Sequence, residues 1–104
     1  MSRLLLFILL LGLAGCSSVQ IGRDFDAATF DRQAKLGATN QTQVKALLGN
    51  PMSQGFSIEA GKRLTEWVYY FGTGKLPGLA NARFKLLQIR FDAQGNIKSY
   101  NWSE

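Results

Sequence analysis

The 104-residue sequence contains no histidine, one cysteine and two prolines. Without histidine, neither a Ser-His nor a Cys-His nucleophile can be assembled, and the imidazole ligands used by most zinc sites are missing. A single cysteine excludes an intrachain disulfide. No glycine-rich phosphate cradle is present. There is also no run of Lys and Arg and no nucleic-acid module signature, so the formal charge of +5 is scattered as on a solvated surface. The carboxylates Asp24, Asp26 and Asp31 suit helix capping and solvation better than metal binding. Glu59, Glu66 and Asp92 could in principle pair for glycoside chemistry. However, Asp92 belongs to a turn and Glu66 to a strand face with basic neighbours. Neither an enzyme nor a bound metal is expected, and nucleic acid is not an expected partner.

What is present starts at the N terminus. Met1-Ser2-Arg3 gives a positive start, Leu4 to Leu11 an apolar run, and Leu13-Ala14-Gly15-Cys16 a small-residue end before the cysteine. The run is shorter than the ~20 residues of a spanning helix and is not followed by a stop-transfer pattern, so residues 1–15 read as a signal peptide. Leu13-Ala14-Gly15-Cys16 resembles the lipobox of bacterial lipoproteins. That resemblance implies cleavage before Cys16, a diacylglyceryl thioether on its sulfur and an N-acyl chain on its freed amine, with no other cofactor. Two or three acyl chains on one residue make such a tether effectively permanent. Ser17 follows, where an Asp would resemble an inner-membrane retention signal, so the expected address is the periplasmic face of the outer membrane. Residues 16–24, polar and aperiodic, read as a lipidated flexible tether.

Residues 25–104 remain as one domain with a modest core. A first helix is predicted over Phe25 to Leu36, with Ala27, Phe30 and Ala34 inward, Asp24 or Asp26 as cap and Gly37 as terminator. A second has Thr39 as N-cap, a Val44, Leu47 and Leu48 stripe, and Gly49-Asn50-Pro51 as its stop. Strands are predicted over Leu64 to Phe71, Arg83 to Asp92 and Ile97 to Trp102, the last two joined by the turn Asp92 to Asn96. Ser53 to Ile58 reads as a weak additional strand. Trp67, Tyr69 and Phe71 are expected to form the inner row, facing the Val44, Leu47 and Leu48 stripe. Gly72 to Asn81 reads as a long loop whose Lys75, Leu76 and Leu79 are candidate contacts for a partner or for anionic phospholipid.

The order of these motifs carries a resemblance. Leu36-Gly37-Ala38-Thr39 with Val44 and Leu47-Leu48-Gly49-Asn50-Pro51 resembles the glycine-threonine, valine, leucine-glycine-x-proline helix of the SmpA/OmlA (BamE-like) outer-membrane lipoproteins. Trp67-Val68-Tyr69 is similar to that family's tryptophan-x-tyrosine strand. Leu87 to Asp92 with Gly95-Asn96-Ile97 is similar to its closing hairpin. The resemblance implies an α+β fold in which two N-terminal helices pack on one face of a three-stranded antiparallel sheet. It also implies a non-catalytic role in outer-membrane protein assembly and envelope integrity, with barrel-assembly machinery subunits as partners. Similar helix-pair-on-sheet modules in β-lactamase inhibitor proteins suggest an alternative, in which the same fold inhibits or senses a periplasmic enzyme or ligand.

Overall fold

The computed structural model describes residues 17–104; the predicted signal peptide, 1–15, and Cys16 lie outside the described residues. Alternation sets the main element. From Lys62 to Lys75 the chain stays extended as the long strand β3, with Thr65, Trp67, Tyr69 and Phe71 on one face and Glu66, Val68 and Tyr70 on the other. It pairs antiparallel with β4, Ala80–Phe91, and β4 pairs with β5, Ile97–Ser103. Along the other edge of β3 two shorter strands lie end to end: β1, Ser18–Gly22, beside residues 71–75, and β2, Ser53–Glu59, beside residues 62–68.

Between β1 and β2 come two short helices, α1 over Ala27–Gln33 and α2 over Gln41–Leu48. Asp26 caps α1, its carboxylate accepting from the Thr29 amide at 2.9 Å and the Thr29 hydroxyl at 2.7 Å. At α2 the cap is Asn40 rather than the expected Thr39. Asn40 and Gln43 exchange side-chain to backbone bonds in a capping box, both at 2.9 Å. The Thr39 hydroxyl instead accepts from the Lys35 amide at 2.9 Å, closing the turn between the helices. That turn leaves Lys35 and Leu36 outside α1, whose last helical residue is Gln33 and whose C-cap is Ala34, so Gly37 serves the turn and not the helix end.

One core results. Phe25, Ala27 and Phe30 from the α1 region and Val44 from α2 are buried with Trp67 and Tyr69 of β3, Leu87, Ile89 and Phe91 of β4, and Ile97 of β5. Phe30 meets Tyr100 edge-on at 5.1 Å, and Trp67 meets Phe91 at 4.7 Å. Each fully buried aliphatic or aromatic side chain here contributes ~1.5 to 3 kcal/mol of transfer free energy, so this row supplies the main driving force. Trp67 and Tyr69 lie in the inner row as predicted, with Phe71 partly buried against it. Of the α2 stripe, Val44 and Leu48 join the core, while Leu47 points out and is exposed.

Four expectations are corrected. The sheet has five antiparallel strands rather than three, and the helices, seven and eight residues long, follow a strand instead of leading the domain. The reason lies along one edge of β3: fourteen extended residues expose a long row of unpaired backbone groups, which β1 and β2 together cover. Hence the segment expected as a flexible tether is a strand over Ser18–Gly22. The segment expected as a loop from Gly72 to Asn81 is mostly hairpin, leaving only residues 76–79 as the connection.

Candidate functional site

The hairpin end of β3 and β4 brings the sequence candidates together. The Leu76 backbone amide donates to the Ser17 carbonyl, extending the β1–β3 ladder by one bond beyond the Ser18 and Lys75 pair. Ser17, Lys75, Leu76 and Leu79 therefore occupy one tip of the sheet. Cys16, one peptide bond from Ser17 in the sequence, lies outside the described residues. Leu76 is 48% and Leu79 53% exposed, and Lys75 is exposed beside them. Leu79 also holds a left-handed backbone, φ 54°, a region that glycine and asparagine enter more cheaply than leucine.

Register adds two residues that sequence reasoning missed. Ile21 lies opposite Gly72 on one side, and Phe84 lies opposite Gly72 on the other. Paired residues of neighbouring strands share a face, so both stand on the sheet face away from the helices, with exposures of 54% and 57%. Between them runs a shallow groove of about 210 Å³, walled by Val19, Ile21, Leu79, Ala82 and Phe84, with Gly72 and Gly74 as its floor and Arg83 at its rim. The glycines matter for their missing side chains. A Cβ on Gly72 would stand 3.2 Å from Phe84 Cδ2, and one on Gly74 3.2 Å from Leu79 Cδ2, tighter than ordinary packing. Those two glycines let Phe84 and Leu79 lie down across the sheet.

The opposite face of the same end is polar. Lys85 pairs with Asp24 at 2.9 Å and donates to the Phe25 carbonyl at 3.1 Å. The hydrogen bond from Lys85 holds the Asp24 carboxyl below the usual carboxylate range. Thr29 does the same for Asp26, through its backbone amide first and its hydroxyl second. At the other end of the sheet, Arg90 lies between Glu66 at 3.1 Å and Glu59 at 3.4 Å, and Asp92 accepts from the Gln94 and Asn96 amides, both at 3.0 Å. Glu59, Glu66 and Asp92 are thus engaged in ion pairing and turn formation. Burial pushes the Tyr69 phenol up to about 12, and its hydroxyl donates to the Gly49 carbonyl at 2.8 Å. Among the described residues there is no metal-ligand cluster, and no helix is long and apolar enough to cross a membrane. What the tip offers is contact area: apolar side chains, two basic residues and a fixed backbone.

No protein-family profile, no curated protein and no solved structure matches the chain.

Proposed function

We propose that the chain is a lipid-anchored outer-membrane lipoprotein, a non-catalytic binding module on the periplasmic face that supports outer-membrane protein assembly and envelope integrity. The observation that carries this reading is the bond from the Leu76 amide to the Ser17 carbonyl. The residue next to the proposed acylation site is built into a sheet, so a lipid on Cys16 would hold the domain in a fixed pose rather than on a free leash. A fixed pose suits a protein that presents a surface, because rigid placement lowers the ordering cost of each binding event. The lipobox resemblance and the motif order supply the envelope address and the barrel-assembly partners.

Fatty-acid labelling of the parent and of Cys16→Ala tests the anchor, which is refuted by label that persists in the variant. Fractionation of Ser17→Asp in a Gram-negative host tests the address, with a shift to the inner membrane expected. Affinity capture on the lipidated chain tests the role: barrel-assembly subunits support it, whereas recovery of a hydrolase or cell-wall enzyme in their place overturns it.

A further inference from the structure

We propose that the hairpin tip and the groove beside it enter the phospholipid surface, so that the sheet stands on the bilayer through Leu76, Leu79, Ile21 and Phe84. This rests on the anchored reading above and names the occupant of the apolar patch: the bilayer into which the chain's own lipid would insert. Three observations place it there.

The first is distance along β3. Ser17, next in sequence to the proposed acylation site, is held against Leu76, and Gly72, whose neighbours are Ile21 and Phe84, stands four residues from Leu76. At ~3.3 Å per residue Leu76 and Leu79 lie at the anchor end, and Ile21 and Phe84 fall ~13 Å from it along the strands. Amphipathic elements bury their apolar faces ~5 to 10 Å into the boundary between headgroups and acyl chains, a depth that includes Leu76 and Leu79 and that Ile21 and Phe84 reach when the strands tilt from the membrane normal.

The second is charge. The cations at this end are Lys75 at the tip and Arg83, which lines both the groove and the opening on the other face that contains Asp24 and Glu104; no carboxylate lines the groove itself. Asp24 is held by Lys85 at the polar opening on the other face. Apolar side chains with a basic margin fit an anionic headgroup layer.

The third is contrast with another exposed apolar pair, Phe56 and Ile58 in β2. The Arg63 guanidinium lies over the Phe56 ring at 3.9 Å, and Ile58 stands opposite Arg63. Arg63 is twelve residues from Lys75 along β3, roughly 40 Å at the strand rise, beyond the interfacial layer of a bilayer holding Ser17. Apolar exposure alone therefore does not single out the tip; apolar exposure at the anchor does.

Spin labelling tests the proposal in the intact lipidated protein, reconstituted into vesicles of phosphatidylethanolamine and phosphatidylglycerol. Thioether formation consumes Cys16, so labels attach only to a cysteine introduced by Leu79→Cys, Phe84→Cys or, as the control, Ile58→Cys, all at exposed positions. Expected is relaxation by apolar oxygen exceeding that by an aqueous nickel chelate at 79 and 84, and the reverse at 58. Nickel accessibility at 79 and 84 equal to that at 58, with the parent unlabelled, overturns the docking and leaves the anchor standing. Shielding of 79 and 84 from both reagents also overturns it, because a protein rather than lipid would then cover the patch. A parent chain that takes up label at Cys16 refutes the anchor and this proposal together.

Discussion

The Tyr69 hydroxyl donates to the Gly49 carbonyl across twenty residues of sequence, tying the end of α2 to the inner row of β3 at 2.8 Å. The bond satisfies a helix-end carbonyl and places a phenol in the core, where its neutral form is favoured. Tyr69 has a folded pKa of about 12 against an ordinary value of 10.0. Its contribution is fully present below pH 10 and is lost as pH rises toward about 12, because there the unfolded chain gives up the proton first. Tyr69→Phe should cost ~0.5 to 1.5 kcal/mol at neutral pH through the lost hydrogen bond. It should also flatten the alkaline limb of stability between pH 10 and 12. Urea melts across that range are the check, and a variant limb as steep as the parent's would refute the assignment.

Trp67 and Leu79 differ in surroundings, not in hydrophobic character. Trp67 is 3% exposed and packed against Phe91, while Leu79 is at the tip. Truncating a buried tryptophan costs ~3 to 5 kcal/mol, comparable to the stability of a small domain, so Trp67→Ala should leave the chain largely unfolded at 37 °C. Leu79→Ala should cost less than ~1 kcal/mol. Thermal melts of both variants beside the parent decide it; a folded Trp67→Ala protein would show that the inner row has been assigned to the wrong face.

Asp26 caps α1 through two bonds to Thr29, and those bonds hold its carboxyl below the ordinary range. Because the folded value is depressed, the stabilisation is present above the unfolded pKa near 4 and is lost as pH falls through the folded one. Asp26→Ala should lower the melting temperature by about 4 to 8 °C at pH 7. The gap to the parent should shrink toward pH 2. A gap that is constant with pH would mean that the carboxylate charge plays no part in the cap.

How much of this was legible in the sequence depended on whether the signal was local. The Trp67, Tyr69 and Phe71 alternation announced β3, and the Leu87, Ile89 and Phe91 alternation announced β4, because each pattern is complete within its own strand. Gly72 and Gly74 concealed the far half of the hairpin. Glycine is ordinarily loop punctuation, and only the opposing Ile21 and Phe84 reveal these two as the floor of a groove. β1 was missed for a related reason: five residues with two apolar side chains carry little periodicity, and what orders them is the edge of β3, fifty residues away. The Asn40 and Gln43 capping box, by contrast, could have been read directly from its spacing. At the tip, Lys75, Leu76 and Leu79 were legible as an apolar connection with a cation, whereas their union with Ser17 came from strand register alone.

That register makes Gly22 the most sensitive position for the tip. It has φ 77°, and a Cβ added there would stand 2.2 Å from the Tyr70 carbonyl oxygen, which is backbone and cannot swing aside. Gly22→Ala therefore has two penalties, a left-handed alanine and a collision that only movement of β1 relieves. The core cluster includes no residue of β1, so the helices and the other four strands should remain folded while β1 detaches. Hydrogen exchange gives the direct reading. The Leu76 amide, protected in the parent by the Ser17 carbonyl, should exchange at least tenfold faster in Gly22→Ala, while strand amides around Leu87 and Ile89 keep their protection. Detachment would turn a fixed mount into a flexible leash, so under the anchored reading partner capture should weaken with the fatty-acid label intact. Unchanged exchange at Leu76 would show that β1 absorbs the added methyl without leaving the sheet, and that Gly22 is not what holds Ser17 at the tip.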